Sequence, residues 1–200
     1  MSGLGAPTVA WDADGIIHDL ISSCLMVWNR ETGRTDSMED INDFYIEKAL
    51  NLSKDESDHF HGIFERPGLF EDLALFDGAP EAMKELHDSG HDVIIVSAPS
   101  GPESARGKLR AFARQIPWLS RKKIVLMHEK WRINADFWVD DASHSISEIR
   151  KHQPHAITLG LEQPWNRHLA HLWHLLATDY RRPRDAFRNI TDIVRTFSGR

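Results

Sequence analysis

Cysteine is almost absent from this chain: Cys24 is the single one in 200 residues. An internal disulfide is excluded, and such sparing use fits a reducing compartment, so a cytoplasmic location is expected. Long apolar runs are also missing. No stretch reaches the length of a membrane span, and residues 1–7 have neither the basic nor the apolar part of a signal peptide, so no membrane partner is expected. Positive charge is in deficit, with a net charge of −6 when His is neutral. No global basic field therefore draws a nucleic-acid polymer or an anionic surface. A small phosphorylated ligand stays compatible, because a few local cations and a metal can hold it. The 12 His are scattered without zinc-type spacing. Repeats and low-complexity segments are absent too. The length suits one domain with room for an inserted subdomain, and a homodimer is left open.

What is present begins at Thr8-Val9-Ala10-Trp11-Asp12-Ala13-Asp14-Gly15. The apolar start reads as a buried strand, along which side chains alternate, so Asp12 and Asp14 project on one side. Gly15 permits the sharp turn that must follow. Two carboxylates so close repel, and burying them without a cation is costly. A divalent metal resolves the conflict, and an all-oxygen ligand set points to Mg²⁺. The bland alternative is a polar loop after a strand, because D-x-D-G occurs widely. Later strand ends decide between the two.

Residues 16–30 have helical spacing, with Leu20, Cys24, Leu25 and Trp28 on one face. Segments 37–50 and 53–64 read as further helices, the second opened by a Ser53/Glu56 capping box. Roughly 60 residues of mainly helical sequence thus precede the next strand, too many for an ordinary loop, and a helical subdomain is expected. From Gly78 onward helices and strands alternate: helix 79–89, strand 91–96, helix 102–115, strand 123–127, strand 135–139, helix 143–152, strand 156–159, helix 165–177 and helix 185–197. This order implies an α/β fold, a Rossmann-like parallel sheet with helices on both faces. The expected division is 1–17 and 77–200 for the α/β core and 18–76 for a small helical cap inserted after the first strand.

Ligands of such sheets bind beyond the carboxyl ends of the strands. Those ends supply Asp12 and Asp14, then Ser97, then Lys130, then Asp140 and Asp141. Singly each has a plain explanation: a turn serine, an exposed lysine, an acid pair at a helix N-terminus. Together on one rim they suit phosphoryl transfer. A carboxylate such as Asp12 can attack phosphorus. Asp14 can protonate the leaving oxygen and later take a proton from water. Mg²⁺ held by Asp12, the Asp14 carbonyl and one of Asp140 or Asp141 screens the anion from its nucleophile. Ser97 and Lys130 can donate to phosphoryl oxygens.

Asp12-Ala13-Asp14-Gly15, Ser97, Lys130 and Asp140-Asp141, in this order, resemble the four motifs of the haloacid dehalogenase-like (HAD) phosphohydrolase superfamily, and the helical insert resembles its cap. A narrower resemblance is to the 5'(3')-deoxyribonucleotidases. It rests on Pro67-Gly68-Leu69-Phe70 before Gly78-Ala79-Pro80, on Ser97-Ala98-Pro99, on Lys130 with Asn134-Ala135-Asp136, and on Gln163-Pro164-Trp165-Asn166-Arg167. The resemblance implies a Mg²⁺-dependent phosphatase of nucleoside monophosphates. Asp12 would be the nucleophile, Asp14 the acid/base, and Asp12, Asp14, Asp140 and Asp141 the metal ligands. Ser97, Ala98 and Lys130 would hold phosphate, and cap aromatics, from Phe44, Phe60, Phe64 and Phe70, the base. Three positions depart from the relatives: Ala142 stands where Arg often follows the acid pair, Ala98 where Ser is common, and His18 where a small residue is expected near the pocket mouth. The competing readings are a phosphatase for another small phosphomonoester, a non-catalytic nucleotide-binding protein, and a dehalogenase. Asp14 disfavours the last, because a halide needs no proton to leave.

Overall fold

The computed structural model describes residues 6–177 and 180–199. Six strands form one sheet: β1 (Thr8–Trp11), β2 (Asp92–Ser97), β3 (Ile124–Leu126), β4 (Phe137–Val139), β5 (Ile157–Leu161) and β6 (Leu175–Ala177). Their order is β3-β2-β1-β4-β5-β6, and each neighbouring pair is parallel. A parallel sheet is covered on both faces, which is why its strands are so uniformly apolar. Alternation along β1 sends Val9 and Trp11 into one buried cluster and Ala10 into another. The first cluster includes Met83 and Leu86 of α4 (Ala79–Asp88), Phe112 of α5 (Pro102–Gln115), and Phe187, Ile190 and Val194 of α7 (Pro183–Ser198). The second joins Ile94 and Trp138 to Ile146 and Ile149 of α6 (Ser143–His152).

From β1 the chain winds outward through β2 to β3, then returns to the opposite side of β1 as β4. The winding reverses between β1 and β4, and such a reversal opens a crevice at the carboxyl ends of the two strands. Trp11 is in register with Val139. Asp12 and Asp140, one residue further on, therefore emerge side by side.

Between β1 and β2 lie α1 (Leu20–Thr32), α2 (Ile46–Ala49) and α3 (Lys54–Ile63). They enclose a third cluster of their own, with Leu20, Cys24, Trp28, Ile41, Phe60, Ile63 and Phe70, which Trp165 joins from beyond β5. The Ser53/Glu56 capping box is formed at the start of α3. Entry to and exit from this insert are hydrogen-bonded to each other: Asp19 N donates to Ala74 O at 3.0 Å, and Phe76 N to Ile17 O at 2.9 Å.

Several elements differ from their sequence expectation. The first helix begins at Leu20 rather than residue 16, because His18 is bridged to Leu75 in the paired crossing. His18 is not at the pocket mouth. It is fully buried, stacked on Phe112 with ring centroids 5.0 Å apart and bonded to Gln115 Oε1 at 2.9 Å. Segment 37–50 is a single 3-10 turn, Met38–Asp40, followed by irregular chain and then α2. There Asp43 accepts from Tyr45 N at 2.9 Å, and such local bonds compete with the helix. Segment 165–177 is a 3-10 stretch, Arg167–Leu172, followed by β6 instead of one helix. The open edge of β5 recruits Leu175 opposite Leu159, and that pairing overrides the helical propensity of a Leu- and Ala-rich run.

Candidate active site

Asp12 follows β1 directly and is 6% exposed. Its amide donates to Val139 O at 2.8 Å, which prolongs the β1–β4 pairing by one residue and fixes where the side chain starts. Lys130, in a 3-10 turn after β3, is buried between two acids: Nζ is 2.8 Å from Asp12 Oδ1 and 2.8 Å from Asp140 Oδ2. The other oxygen of Asp140 accepts from the amide of Ala142 at 2.8 Å. Asp141 Oδ2 accepts from Trp165 Nε1 at 2.9 Å. Gly15 is needed here for two reasons. Its φ is +79°, and a Cβ on it would fall 2.5 Å from Asp141 Oδ2.

Ligand atoms of Asp12, Asp140 and Asp141 lie within 4.8 Å of one another. Burial pushes the Asp12 carboxyl up to about 7, against the pull of Lys130 and with the Asp140 and Asp14 charges adding to the rise. Burial likewise lifts Asp141 well above the carboxylate range, reinforced by Asp12 and Asp140. For Lys130 burial disfavours the charge, yet Asp12 and Asp140 outweigh it and keep the ammonium protonated. Four acids, Asp12, Asp14, Asp140 and Asp141, face two lysines, Lys130 and Lys108. The surplus negative charge and the all-oxygen donor set fit a hard divalent cation.

Asp14 is brought to the site, but its carboxylate stands apart from the three-acid cluster. Its Oδ2 is 2.5 Å from Lys108 Nζ, and its Oδ1 has no hydrogen-bond partner among the described residues. Lys108 escaped the sequence reading. It also donates to Ser97 Oγ at 2.8 Å and to Ala98 O at 3.2 Å, and sits 5.1 Å from the Phe70 ring centre. A signal existed. The buried positions of α5 are Ser104, Gly107, Lys108, Ala111 and Phe112, a regular helical stripe with a lysine in its middle.

A cavity of about 570 Å³ opens over these groups. Asp12, Asp14, Ala98, Lys130 and Asp141 form its floor, while Ile21, Ile41, Phe44, Tyr45 and Phe64 of the insert supply apolar wall. The Phe44 ring meets the His144 ring edge-on at 4.7 Å, closing insert against core. Burial holds the His144 imidazole below its usual pKa. Of the other expected binding residues, Ser97 is fully buried, engaged by Lys108 and absent from the cavity wall. Phe60 and Phe70 are absent from it as well, because both are spent in the apolar cluster of the insert. Phe70 is further pinned against Gly107, where an added Cβ would lie 2.9 Å from Phe70 Cβ.

The model of the family described as 5' nucleotidase, deoxy (pyrimidine), cytosolic type C protein matches residues 6–177, which takes in all six strands and the insert. The chain belongs to this family. It is a phosphomonoester hydrolase of the 5'-nucleotidase type on a HAD-like α/β fold. Among curated relatives, the 5'(3')-deoxyribonucleotidase of Bacillus subtilis is 25% identical over 141 residues, covering 70% of this chain and 79% of its own. A protein of the same name from Bacillus phage SPbeta matches equally. Among solved structures, a HAD family hydrolase from Deinococcus radiodurans with bound phosphate and sodium aligns with a TM-score of 0.61 at 16% identity, over 94% of this chain and 97% of that one. A hydrolase from Pseudomonas syringae aligns with a TM-score of 0.57 at 17% identity, over 93% and 99%. These two likenesses speak to the fold. Among the described residues, no helix is long and apolar enough to cross a membrane.

Proposed function

We propose that this 5'-nucleotidase family member hydrolyses nucleoside 5'(3')-monophosphates, deoxyribonucleotides foremost, through an aspartyl phosphate on Asp12. The observation that carries the proposal is the placement of Asp12. It lies at the β1/β4 crevice, in a buried cluster with Lys130, Asp140 and Asp141, under an apolar-walled cavity. The names of the curated relatives support the choice of substrate.

In the first half-reaction a carboxylate oxygen of Asp12 bonds to phosphorus and the ester P–O bond breaks. Lys130 holds Oδ1, which leaves Oδ2 for the attack. Asp14 gives its proton to the departing alkoxide. In the second half-reaction water bonds to phosphorus, Asp14 takes its proton, the acyl phosphate bond breaks, and inorganic phosphate leaves with Asp12 restored. Lys130 donates to the phosphoryl oxygens as well as to the acids. Mg²⁺ is the proposed cofactor, held by Asp12, Asp140, Asp141 and the backbone of Asp14, and when bound it would screen the phosphoryl anion from the attacking carboxylate.

The insert, residues 18–76, acts in this reading as a cap over a core made of 1–17 and 77–200. It opens to admit substrate and closes to exclude water, bending at the paired crossings near Ile17 and Phe76. Phe44 and Phe64 are the base-facing rings. A cytoplasmic location completes the reading, on the strength of the family's cytosolic type and of Cys24, a buried free thiol.

The test is phosphate release from a panel of 5'- and 3'-nucleotides and sugar phosphates, with Mg²⁺ and with chelator. Mg²⁺-dependent release favouring deoxynucleotides is expected. Equal release from sugar phosphates would overturn the nucleotide assignment, and no release from any of them would overturn the catalytic one.

A further inference from the structure

Asp141 differs from the other acids in how it is held. Asp12 and Asp140 share Lys130, and Asp140 also takes the Ala142 amide. Among the described residues, the Asp141 carboxylate has the indole N–H of Trp165 as its one hydrogen-bond donor. Its opposite flank is closed by Gly15, where there is no room for a Cβ beside the carboxylate. Both flanks are set by one short loop after β5. Gln163 Nε2 donates to Gly15 O at 2.7 Å, and Asn166 Nδ2 donates to Asp141 O at 3.1 Å. Gln163, Trp165 and Asn166 are all buried.

Trp165 has a second attachment. Its ring belongs to the apolar cluster of the insert, with Trp28, Phe60 and Phe70, although the residue itself comes from the core. One side chain thus has its ring in the cap and its N–H on a candidate metal ligand. A ring displaced from the cap cluster would carry the N–H with it, because the indole is rigid.

We infer that Trp165 is a positioning residue which couples the seating of the cap to the orientation of Asp141, and so to divalent-metal affinity. Partners that orient a metal ligand typically contribute about 10–100-fold in affinity. Coupling also runs in both directions, so metal binding at Asp141 steadies the cap through the same indole. The inference rests on the metal site of the proposed function.

The experiment uses the full chain stripped with chelator. Mn²⁺ affinity is measured by electron paramagnetic resonance for wild type, Trp165→Phe and Trp28→Phe. Trp28 is a matched control: it lies in the same cluster and donates its N–H at 2.9 Å to Asp36, inside the insert. Trp165→Phe is expected to bind Mn²⁺ about tenfold or more weakly and Trp28→Phe as tightly as wild type. Hydrogen exchange over residues 18–76 should slow on Mn²⁺ addition in wild type and slow less in Trp165→Phe. Wild-type affinity in Trp165→Phe, or an equal loss in both variants, would overturn the inference and leave the metal site standing. No Mn²⁺ binding by wild type would overturn both. A wild-type measurement avoids dependence on the variant's folding: the Trp165 indole N–H resonance, assigned from its contacts, should shift on Mg²⁺ addition. An unmoved resonance would overturn the inference.

Discussion

Lys108 Nζ lies 2.5 Å from Asp14 Oδ2, and 1% of the lysine side chain is exposed. A buried ammonium from the middle of α5 thus reaches across to Asp14, two positions past the proposed nucleophile Asp12. It fixes one oxygen of Asp14 and leaves the other, the one proposed to exchange the proton, without a hydrogen-bond partner among the described residues. Replacing Lys108 by Met keeps the length and apolar stem while removing the charge. The expected result is a fold that survives with about 1–3 kcal/mol less stability, and a kcat that falls more than KM rises. Thermal unfolding and steady-state phosphate release check this. An unchanged kcat would show that Asp14 needs no such partner.

Asp12→Asn removes the proposed nucleophile and should abolish turnover. It should not unfold the protein, because the amide oxygen still accepts from Lys130 and a costly buried charge is gone. The melting temperature of the metal-free variant should match or exceed that of wild type. Asp14→Asn should cost about 10²–10⁴-fold in kcat. Either variant turning over like wild type would refute the assigned roles.

Metal-free stability should depend on pH through Asp12. Its folded pKa, about 7, lies above the ordinary carboxylate value of 3.8. Between those values the folded chain binds more protons than the unfolded one, so the free energy of unfolding falls as pH rises through this window. Asp141, also raised, acts in the same direction. Melting temperatures in chelator should therefore decline from pH 5 to pH 8, and saturating Mg²⁺ should flatten that decline by favouring the ionised acids. A flat profile without metal would mean that the cluster is not as desolvated as its burial indicates.

Phe44 and Phe70 should part company on truncation. Phe44 is 39% exposed and lines the cavity, so Phe44→Ala should raise KM with little effect on stability. Phe70 is 2% exposed and lies in the insert's cluster, so Phe70→Ala should cost about 3–5 kcal/mol in stability. Substrate saturation curves and denaturant titration of both variants separate the two effects.

What could be read from the sequence was what depends on neighbours along the chain. The run from Thr8 to Trp11 is apolar because a central parallel strand is covered on both faces. The acids that follow it sit at a strand end, where winding topology places ligands. Asp12, Lys130, Asp140 and Asp141 were all legible for that reason, and so was the helical character of the insert. The double need for Gly15 was half legible, since the turn was visible but not the carboxylate pressed against it.

The rest was decided by partners distant in sequence. Segment 165–177 has helical composition, yet becomes in part an edge strand because β5 offers unpaired backbone groups, and backbone pairing outweighs small differences in propensity. Phe44, Phe60, Phe64 and Phe70 are alike as aromatics on a mainly helical stretch. Only the packing of the insert divides them into two that face the cavity and two that fill the core. Lys108 meets Asp14 from 94 residues away, and Trp165 meets Asp141 from 24. Periodicity along one segment determines which residues share a face. Which groups then meet across the crevice is set by how separate elements dock, and that information exists only in three dimensions.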